Sequence, residues 1–300
     1  MMEPTTNTLT AYYNVLTFNS SKLPPIIQKK GGSANKAGDA FEVFVKDMYC
    51  VEAQKYPYLD DKINNYKNYL SWQGDSSHFP DLIIRGGEGV EPKKMTSSNS
   101  NLSLNSSYPK DYIYPDTQNL GDIEETNWTK KPLVYVIGTV PIKFNNRRNE
   151  ESKCSVIWFA FGNTLAADQK VYKDLMESIR NNLSNVHLPR TTSEFSTTKE
   201  LGRIKDVDGS GNTNLRLRGM WELANPNTAF KEYLDDNFVP SDATAVNLIM
   251  LSKDYDECPK KPDFSDLIAS NQLIIKEIEI PDPNNENMKL KAKLFQGFTD

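Results

Sequence analysis

The chain contains little of what disulfide frameworks and histidine-based metal sites require. Its three cysteines, Cys50, Cys154 and Cys258, stand far apart and match no metal-ligand spacing. The two histidines, His78 and His187, are too few for a zinc site built on several histidines. Because no signal peptide is recognisable either, the cysteine usage indicates a reducing cytosol.

Long apolar runs and an excess of basic charge are also missing. The longest apolar runs, Leu133–Val140 and Cys154–Phe161, have the length of strands, so no membrane span or membrane partner is expected. The net charge of −5, from 35 basic and 40 acidic residues, argues against coating nucleic acid by bulk electrostatics. It leaves room for an enzyme with one basic DNA-binding face. Any metal ion should be a hard cation held by carboxylates.

The spacing of apolar residues predicts three helices. After a polar lead-in over residues 1–38, Asp39 is a suitable N-cap for a helix over Asp39–Tyr49. Its apolar stripe has helical spacing and comprises Phe41, Phe44, Val45 and Met48. A second helix is expected near Asp60–Leu70. The third is expected over Ala166–Leu183, with one apolar face formed by Val171, Leu175 and Ile179.

Several short apolar segments between these helices are typical of strands. The predicted strands are Leu82–Ile84, Val90–Lys94, Leu133–Val140, Ser155–Phe161, Ala245–Leu251 and Gln272–Ile280. Thr96–Ser107 is rich in Ser and Asn and indicates a surface loop. This order of elements favours one α/β domain over residues 1–300, with a central mixed sheet flanked by helices.

The segment that points to chemistry surrounds a predicted hairpin. A tight turn at Gly86–Gly89 would bring Asp81, at the start of one strand, towards Glu91 on the next. Period-2 alternation then places Glu91 and Lys93 on the same face. Two carboxylates can seat Mg²⁺, which polarises a phosphate and lowers the pKa of water. Lys93 could orient that water and stabilise the charge that develops on the phosphate.

This arrangement resembles the signature of the PD-(D/E)xK nuclease superfamily, read here as Pro80-Asp81 and Glu91-Pro92-Lys93. The resemblance implies Asp81 and Glu91 as metal ligands and Lys93 as the water-positioning residue. Glu42, on the preceding helix, is implied as a weaker metal ligand. Further stretches resemble type II restriction endonucleases of that superfamily: Asn105–Lys110, Tyr135–Gly138 with Ile157–Phe159, and Asn214–Trp221.

The resemblance implies a function and a domain plan. It implies Mg²⁺-dependent hydrolysis of double-stranded DNA at a short palindromic sequence, leaving 5′-phosphate ends, by a homodimer in a prokaryotic cytoplasm. The functional partner would be a DNA methyltransferase that protects host DNA. A restriction-endonuclease-like catalytic core is expected over about residues 38–185, with recognition and dimerisation elements over about 96–130 and 186–300.

Pro92 departs from the superfamily pattern, in which the residue between Glu and Lys is usually apolar. Proline has no N–H to donate to a neighbouring strand, so the strand should lie at a sheet edge or carry a bulge at this point. The Pro92 carbonyl remains available as a metal ligand. The substitution therefore bears on strand pairing more than on the chemistry.

Arg216 and Arg218 are the first candidates for DNA contacts. They alternate around Leu217, so a strand would point both guanidinium groups one way and the leucine inward. One arginine could reach guanine O6 and N7 while the other holds a phosphate; an exposed strand edge with surface charges is the alternative. Further DNA-binding candidates are Ser107, Lys110 and Lys94.

Other polar segments favour structural roles. Asp206–Asn212 opens like a calcium-binding loop but lacks the acidic residue at position 12, where Leu217 stands, so it is interpreted as a turn. The basic loop Lys143–Arg148 is interpreted as a solvated turn rather than a phosphate contact, and His78 as structural rather than a general base. The tyrosines of Tyr108–Tyr114 are expected to pack on the domain surface rather than to stack on bases.

Two other functions stay open on the sequence. One is a repair or junction-resolving nuclease of the same fold. The other is a DNA-binding protein that keeps the fold without the reaction, against which the complete set of Asp81, Glu91 and Lys93 argues.

Overall fold

The centre of the fold is a mixed β-sheet. The computed structural model of the chain describes residues 3–18, 21–24, 37–141, 153–183, 185, 188, 193–196 and 201–300. Within these residues nine strands form the sheet, in the order β1-β2-β3-β6-β7-β12-β14-β13 with β5 paired to β6. The strands are β1 Leu70–Trp72, β2 Leu82–Ile84, β3 Gly89–Met95, β5 Tyr112–Ile113, β6 Lys131–Thr139, β7 Val156–Phe161, β12 Thr244–Leu251, β13 Leu273–Asp282 and β14 Asn285–Thr299.

Smaller elements surround this sheet. Two small sheets are formed by β4 Leu102–Asn105 with β11 Trp221–Leu223, and by β8 Glu194–Ser196, β9 Gly202–Lys205 and β10 Leu215–Leu217. The α-helices are α1 Thr8–Thr17, α2 Ala37–Tyr49, α3 Leu59–Tyr66, α4 Gln169–Leu183, α5 Pro226–Ala229, α6 Ser252–Glu257 and α7 Ser265–Ala269. No helix of the described segments is both long enough and apolar enough to cross a lipid bilayer.

The sheet combines parallel and antiparallel pairs. β3 runs parallel to β6, and β7 runs parallel to β12, whereas the remaining neighbours in the sheet are antiparallel. Apolar side chains cover both faces: one core contains α1, α2 and residues such as Val90 and Val136, and the other contains Ile83, Tyr135 and Trp158. The predicted α/β class, with a central mixed sheet flanked by helices, is confirmed.

The N-terminal segment differs from the polar lead-in predicted for it. Residues 8–17 form α1, in which Leu9, Tyr12, Val15 and Leu16 are at most 1% exposed. The Tyr12 ring contacts Phe159 and Phe295 edge-on, with ring centroids 6.0 and 5.7 Å apart. The apolar residues of α1 therefore belong to the core. Their helical spacing within a polar stretch indicated this helix, and the sequence analysis missed it.

Helix α2 packs on the sheet beside the predicted hairpin. The side chains of its predicted stripe, including Phe41 and Phe44, are buried. A Cβ on Gly138 of β6 would lie 2.1 Å from the Phe41 ring, so this glycine allows the helix to approach the sheet closely. The helix begins at Ala37, which places Asp39 inside it instead of at its N-cap.

Helix α4 forms within the predicted range, but its apolar face is not buried. It begins at Gln169 instead of Ala166, and none of its residues is buried. Val171 and Leu175 are about half exposed, at 51% and 49%. Helical spacing of apolar residues therefore located the helix correctly but did not show what covers that face.

The last quarter of the chain completes the sheet. β12 joins β7, and the long hairpin of β13 and β14 forms one end of the sheet. Residues 273–299 therefore extend the sheet well past residue 185, where the sequence places the end of the catalytic core. β4 also lies within Thr96–Ser107, predicted as a loop, because Leu102 of this segment is buried in the second core.

Candidate active site

The hairpin of β2 and β3 brings Asp81 and Glu91 together as predicted. Leu82 pairs with Val90 in an antiparallel register, so the residues just outside this pair, Asp81 and Glu91, face each other. The backbone N–H of Asp81 donates a hydrogen bond to Oε2 of Glu91 at 3.1 Å. The two acids therefore meet at the open end of one short ribbon.

Lys93 joins this pair from the same strand. Its Nζ donates a hydrogen bond to Oε1 of Glu91 at 2.6 Å. Residues two apart on a strand share a face, so the spacing Glu-x-Lys accounts for the contact. Glu91 is buried, whereas Lys93 is partly exposed. All three predicted residues of the signature thus converge.

Burial and repulsion between the two carboxyl groups oppose the ionisation of Asp81. Burial, followed by the charge of Glu91, raises the pKa of Asp81 to about 7, against the opposing effect of Lys93. Burial acts to lower the pKa of Lys93, but Glu91 outweighs it, and the net result is a raised pKa. Near neutral pH the group therefore carries fewer negative charges than two isolated carboxylates would, and a cation would relieve the repulsion between them.

The donors at this point suit a hard divalent cation. Carboxylate oxygens are the preferred protein ligands of Mg²⁺, which keeps several waters and needs few protein ligands. Within the described residues, no group of three or more His, Cys, Asp or Glu side chains is arranged to hold a metal ion. A cation bound here would have Asp81 and Glu91, with the carbonyl of Pro92, as its protein ligands.

Glu42 lies near this site but is engaged by another residue. Its Oε1 accepts a hydrogen bond from Nζ of Lys46 at 2.5 Å, and the same Nζ donates to the carbonyl oxygen of Gln73 at 2.6 Å. The charges of both Glu42 and Lys46 reach Asp81. The structure therefore adds Lys46 to the charged residues around Asp81. The sequence analysis missed this residue, although its i, i+4 spacing from Glu42 on one helix was a usable signal.

Trp72 and Gly74, which precede β2 in the chain, fix the position of Asp81. Nε1 of Trp72 donates a hydrogen bond to the carbonyl oxygen of Pro80 at 2.8 Å. Gly74 has φ +79°, and a Cβ at this position would lie 2.1 Å from the carbonyl oxygen of Asp81. The backbone of Asp81 therefore passes where only glycine leaves room.

Pro92 lies where the structure tolerates a proline. β2 pairs only with Gly89 and Val90, so beyond these residues β3 has β6 alone as its partner strand. Pro92 is buried and stands opposite Val136 of β6. The expectation that the strand behaves as an edge at this point is confirmed, because β2 ends before it.

A polar cavity of about 360 Å³ opens beside the predicted catalytic residues. Glu91 and Lys93 line one wall. Ser107, in the turn after β4, and Lys110 line another, as do Ser77 and His78. The structure therefore brings two of the predicted DNA-binding residues, Ser107 and Lys110, into the cavity that Glu91 and Lys93 line, whereas Asp81 is not one of its lining residues.

The other predicted DNA-binding residues lie elsewhere. Alternation along β3 directs Lys94 away from Lys93, and its charge acts on the thiol of Cys154. Arg216 and Arg218 are exposed at the three-stranded sheet of β8 to β10, with Leu217 less exposed between them as predicted. These arginines do not line the cavity beside Glu91 and Lys93.

The segments interpreted as structural behave accordingly. In the loop after β9, Thr213 Oγ1 donates to Asp208 Oδ2 at 2.6 Å, in agreement with a turn. Nδ1 of His78 lies 2.6 Å from Oδ2 of Asp75. Tyr108 stacks on Tyr172 with ring centroids 5.5 Å apart, so it packs within the protein. The basic loop Lys143–Arg148 lies outside the described residues.

Comparison with known proteins extends the similarity far beyond the signature. The family model described as NgoPII restriction endonuclease matches residues 6–281. The chain is 30% identical over 267 residues to the type II restriction enzyme NgoPII of Neisseria gonorrhoeae, covering 87% of this chain and 89% of that enzyme. No solved structure matches. The family match ends at residue 281, so it includes β12 and nearly all of β13, in a part of the chain where the sequence motifs showed no resemblance.

Proposed function

Because the chain belongs to the NgoPII restriction endonuclease family, and is therefore a site-specific deoxyribonuclease, we propose that it cuts double-stranded DNA with Asp81, Glu91 and Lys93. The resemblance to type II restriction endonucleases is confirmed by the family match. The observation that supports this assignment is that Asp81, Glu91 and Lys93 lie together at the open end of the β2–β3 ribbon. The charges of Glu91 and Lys93 both act on the Asp81 carboxyl there. Membership of a restriction family favours this role over repair or junction resolution.

The three side chains have distinct tasks in this proposal. Asp81 and Glu91, assisted by the Pro92 carbonyl, hold Mg²⁺, while Glu42 acts from α2 through its charge. Mg²⁺ bound there supplies Lewis-acid polarisation of the phosphate and lowers the pKa of water. Lys93, already hydrogen-bonded to Glu91, orients the attacking water and stabilises the negative charge that develops on the phosphate. The products carry 5′-phosphate ends.

The proposal extends to the DNA recognition sequence and to the oligomeric state of the protein. We propose a short palindromic recognition sequence, which a two-fold symmetric homodimer reads with one active site for each strand. Arg216 and Arg218 contribute contacts to bases and phosphates from their exposed positions, and Ser107 contributes a phosphate contact at the cavity. The enzyme acts in a prokaryotic cytoplasm, where a methyltransferase of matching specificity protects host DNA.

A digest of a sequenced plasmid tests this function. Purified protein with MgCl₂ should yield discrete fragments whose ends, mapped by run-off sequencing on both strands, share one short palindrome. The ends should ligate without prior phosphorylation, and the Asp81→Ala variant, prepared in parallel, should leave the plasmid intact. Cutting without a shared sequence would instead indicate a repair or junction nuclease. No fragments from several DNA substrates would indicate a binding protein and contradict the proposal.

A further inference from the structure

Lys110 is a buried cation without a carboxylate partner. The residue is 6% exposed, and its Nζ donates one hydrogen bond, to the carbonyl oxygen of Tyr108 at 3.2 Å. No carboxylate of the described residues lies within ion-pair distance of this Nζ. By contrast, the buried Nζ of Lys62 lies 2.5 Å from Asp47, and that of Lys131 lies 2.8 Å from Glu125.

Aromatic rings enclose the Lys110 ammonium. Its Nζ lies 4.4 Å from the ring centroid of Phe79 and 4.7 Å from that of Tyr108. Aromatic faces attract a cation but carry no net charge, so they hold the ammonium without neutralising it. A buried charge that lacks a counter-ion is costly. The chain therefore maintains a cation here at the expense of its own stability, as expected of a group that receives an anion from outside.

The position of this cation identifies the anion. Lys110 lines the cavity that Glu91 and Lys93 also line, and the charge of Glu91 reaches it. Burial lowers the pKa of Lys110 to about 8, so the group remains largely protonated at neutral pH. Lys93 is already bound to Glu91, whereas Lys110 has its charge available for a ligand. In a cavity next to a phosphodiester-cutting centre, that ligand is a phosphate.

We propose that Lys110 is a further catalytic residue, whose ammonium contacts a non-bridging oxygen of the phosphate that is cut. This inference rests on the function proposed above and adds a second lysine to it. Lys110 makes no covalent bond and transfers no proton; it places a fixed positive charge beside the oxygen on which negative charge grows. Such a preorganised charge acts more strongly in a buried site than in water.

A neutral variant of similar length tests the role in catalysis. Lys110→Met should lower the single-turnover rate, measured with enzyme in excess over a cognate duplex, by about 10²–10³-fold. Lys130→Met is the matched control, because its ammonium also lies over a tyrosine ring, 4.0 Å from the Tyr112 centroid, outside this cavity. The control should cut at the wild-type rate. A Lys110→Met rate within threefold of wild type would overturn the proposal.

A double-mutant cycle separates a phosphate contact from a structural role. Duplex affinity is measured without divalent metal, for wild type and Lys110→Met, with a normal or a methylphosphonate linkage at the cut position. If Lys110 binds that phosphate, neutralising either partner removes the same interaction, and the two losses should not add. Additive losses would overturn the proposal, even if Lys110→Met cuts slowly. Lys110→Gln is a second neutral variant, in case Lys110→Met does not fold. Thermal unfolding of both variants shows which of them is folded, and the folded variant is used in the cycle.

The two proposals fail in different ways. If wild-type protein cuts no DNA, the proposed function fails, and the role of Lys110 at the cut phosphate fails with it. If wild type cuts and Lys110→Met cuts equally well, the three signature residues stand and the role of Lys110 is refuted.

Discussion

The ammonium of Lys93 lies 2.6 Å from Oε1 of Glu91, two residues earlier on the same strand. The backbone of β3 sets this pairing, because residues two apart on a strand share a face. The opposite oxygen of Glu91 accepts the N–H of Asp81 from across the ribbon. One carboxylate therefore links the other two members of the candidate site before any DNA is present.

Replacing Lys93 by methionine should remove the charge that acts on the phosphate. We expect Lys93→Met to reduce single-turnover cleavage by at least about 10²-fold, as for the loss of one preorganised stabilising group. Affinity for DNA should change little, since Lys93 is one cation among many contacts. Cleavage within tenfold of wild type would show that Lys93 does not act on the reacting phosphate.

Binding of Mg²⁺ should release a proton from Asp81. The pKa of this carboxyl is raised to about 7 by burial and Glu91, so at pH 6 it is largely protonated, and the metal must displace that proton. Mg²⁺ affinity should therefore rise with pH up to about 7 and then level off. Calorimetry at pH 6 in two buffers of different ionisation enthalpy measures the release. The Asp81→Asn variant should show no such proton release. Metal binding to the wild type without proton release would contradict this account.

The same shift predicts how stability of the metal-free protein depends on pH. A carboxyl whose pKa is higher in the folded than in the unfolded state binds its proton more tightly when folded. The stability from Asp81 is therefore fully present below its unfolded pKa, near 4, and is lost as pH rises through about 7. Chemical denaturation of wild type and Asp81→Asn across this range isolates the contribution. The variant should lack this loss.

Gly74→Ala should destabilise the protein and displace Asp81. A side chain at positive φ costs roughly 1–2 kcal/mol, and the added Cβ would lie 2.1 Å from a backbone oxygen that cannot rotate away. We expect an overpacking loss of about 1–3 kcal/mol beyond the backbone cost. Gly211→Ala is the control, because Gly211 has φ +81° with no atom within 4 Å of the added Cβ. Equal unfolding free energies for the two variants would refute the clash.

Arg216→Ala distinguishes base recognition from phosphate binding. If the guanidinium reads a guanine, affinity for the cognate duplex should fall by about 1–3 kcal/mol while affinity for random duplex is retained. Fluorescence anisotropy with duplexes of equal length gives both values. Equal losses on the two duplexes would assign Arg216 to a phosphate instead.

Local patterns were sufficient to predict the hairpin and its residues. The turn at Gly86–Gly89, the strand length and the two-residue spacing each fix geometry over a few residues, so Asp81, Glu91 and Lys93 could be placed from sequence. The long hairpin of β13 and β14 was half missed, although Met288, Leu290, Ala292 and Leu294 alternate with polar residues and carried the signal of a strand.

Features that depend on distant parts of the chain could not be predicted. Gly74 is a turn glycine in the sequence, and only the folded chain shows Asp81 passing against it. The apolar stripe of α4 predicted the helix, but helical spacing does not reveal whether the rest of the chain covers that face, and Val171 is half exposed. Lys110 likewise is one lysine among many until the rings of Phe79 and Tyr108 close around it.

The most direct test of the central claim is a comparison of cutting and binding in Glu91→Gln. This change keeps the shape of the side chain but removes the charge that would hold Mg²⁺ beside Asp81 and Lys93. Cleavage of cognate DNA in MgCl₂ should be lost while affinity for the same duplex is equal to or higher than that of wild type, because repulsion of the phosphate falls. Cleavage by Glu91→Gln at near wild-type rate would show that the cutting centre lies elsewhere in the protein.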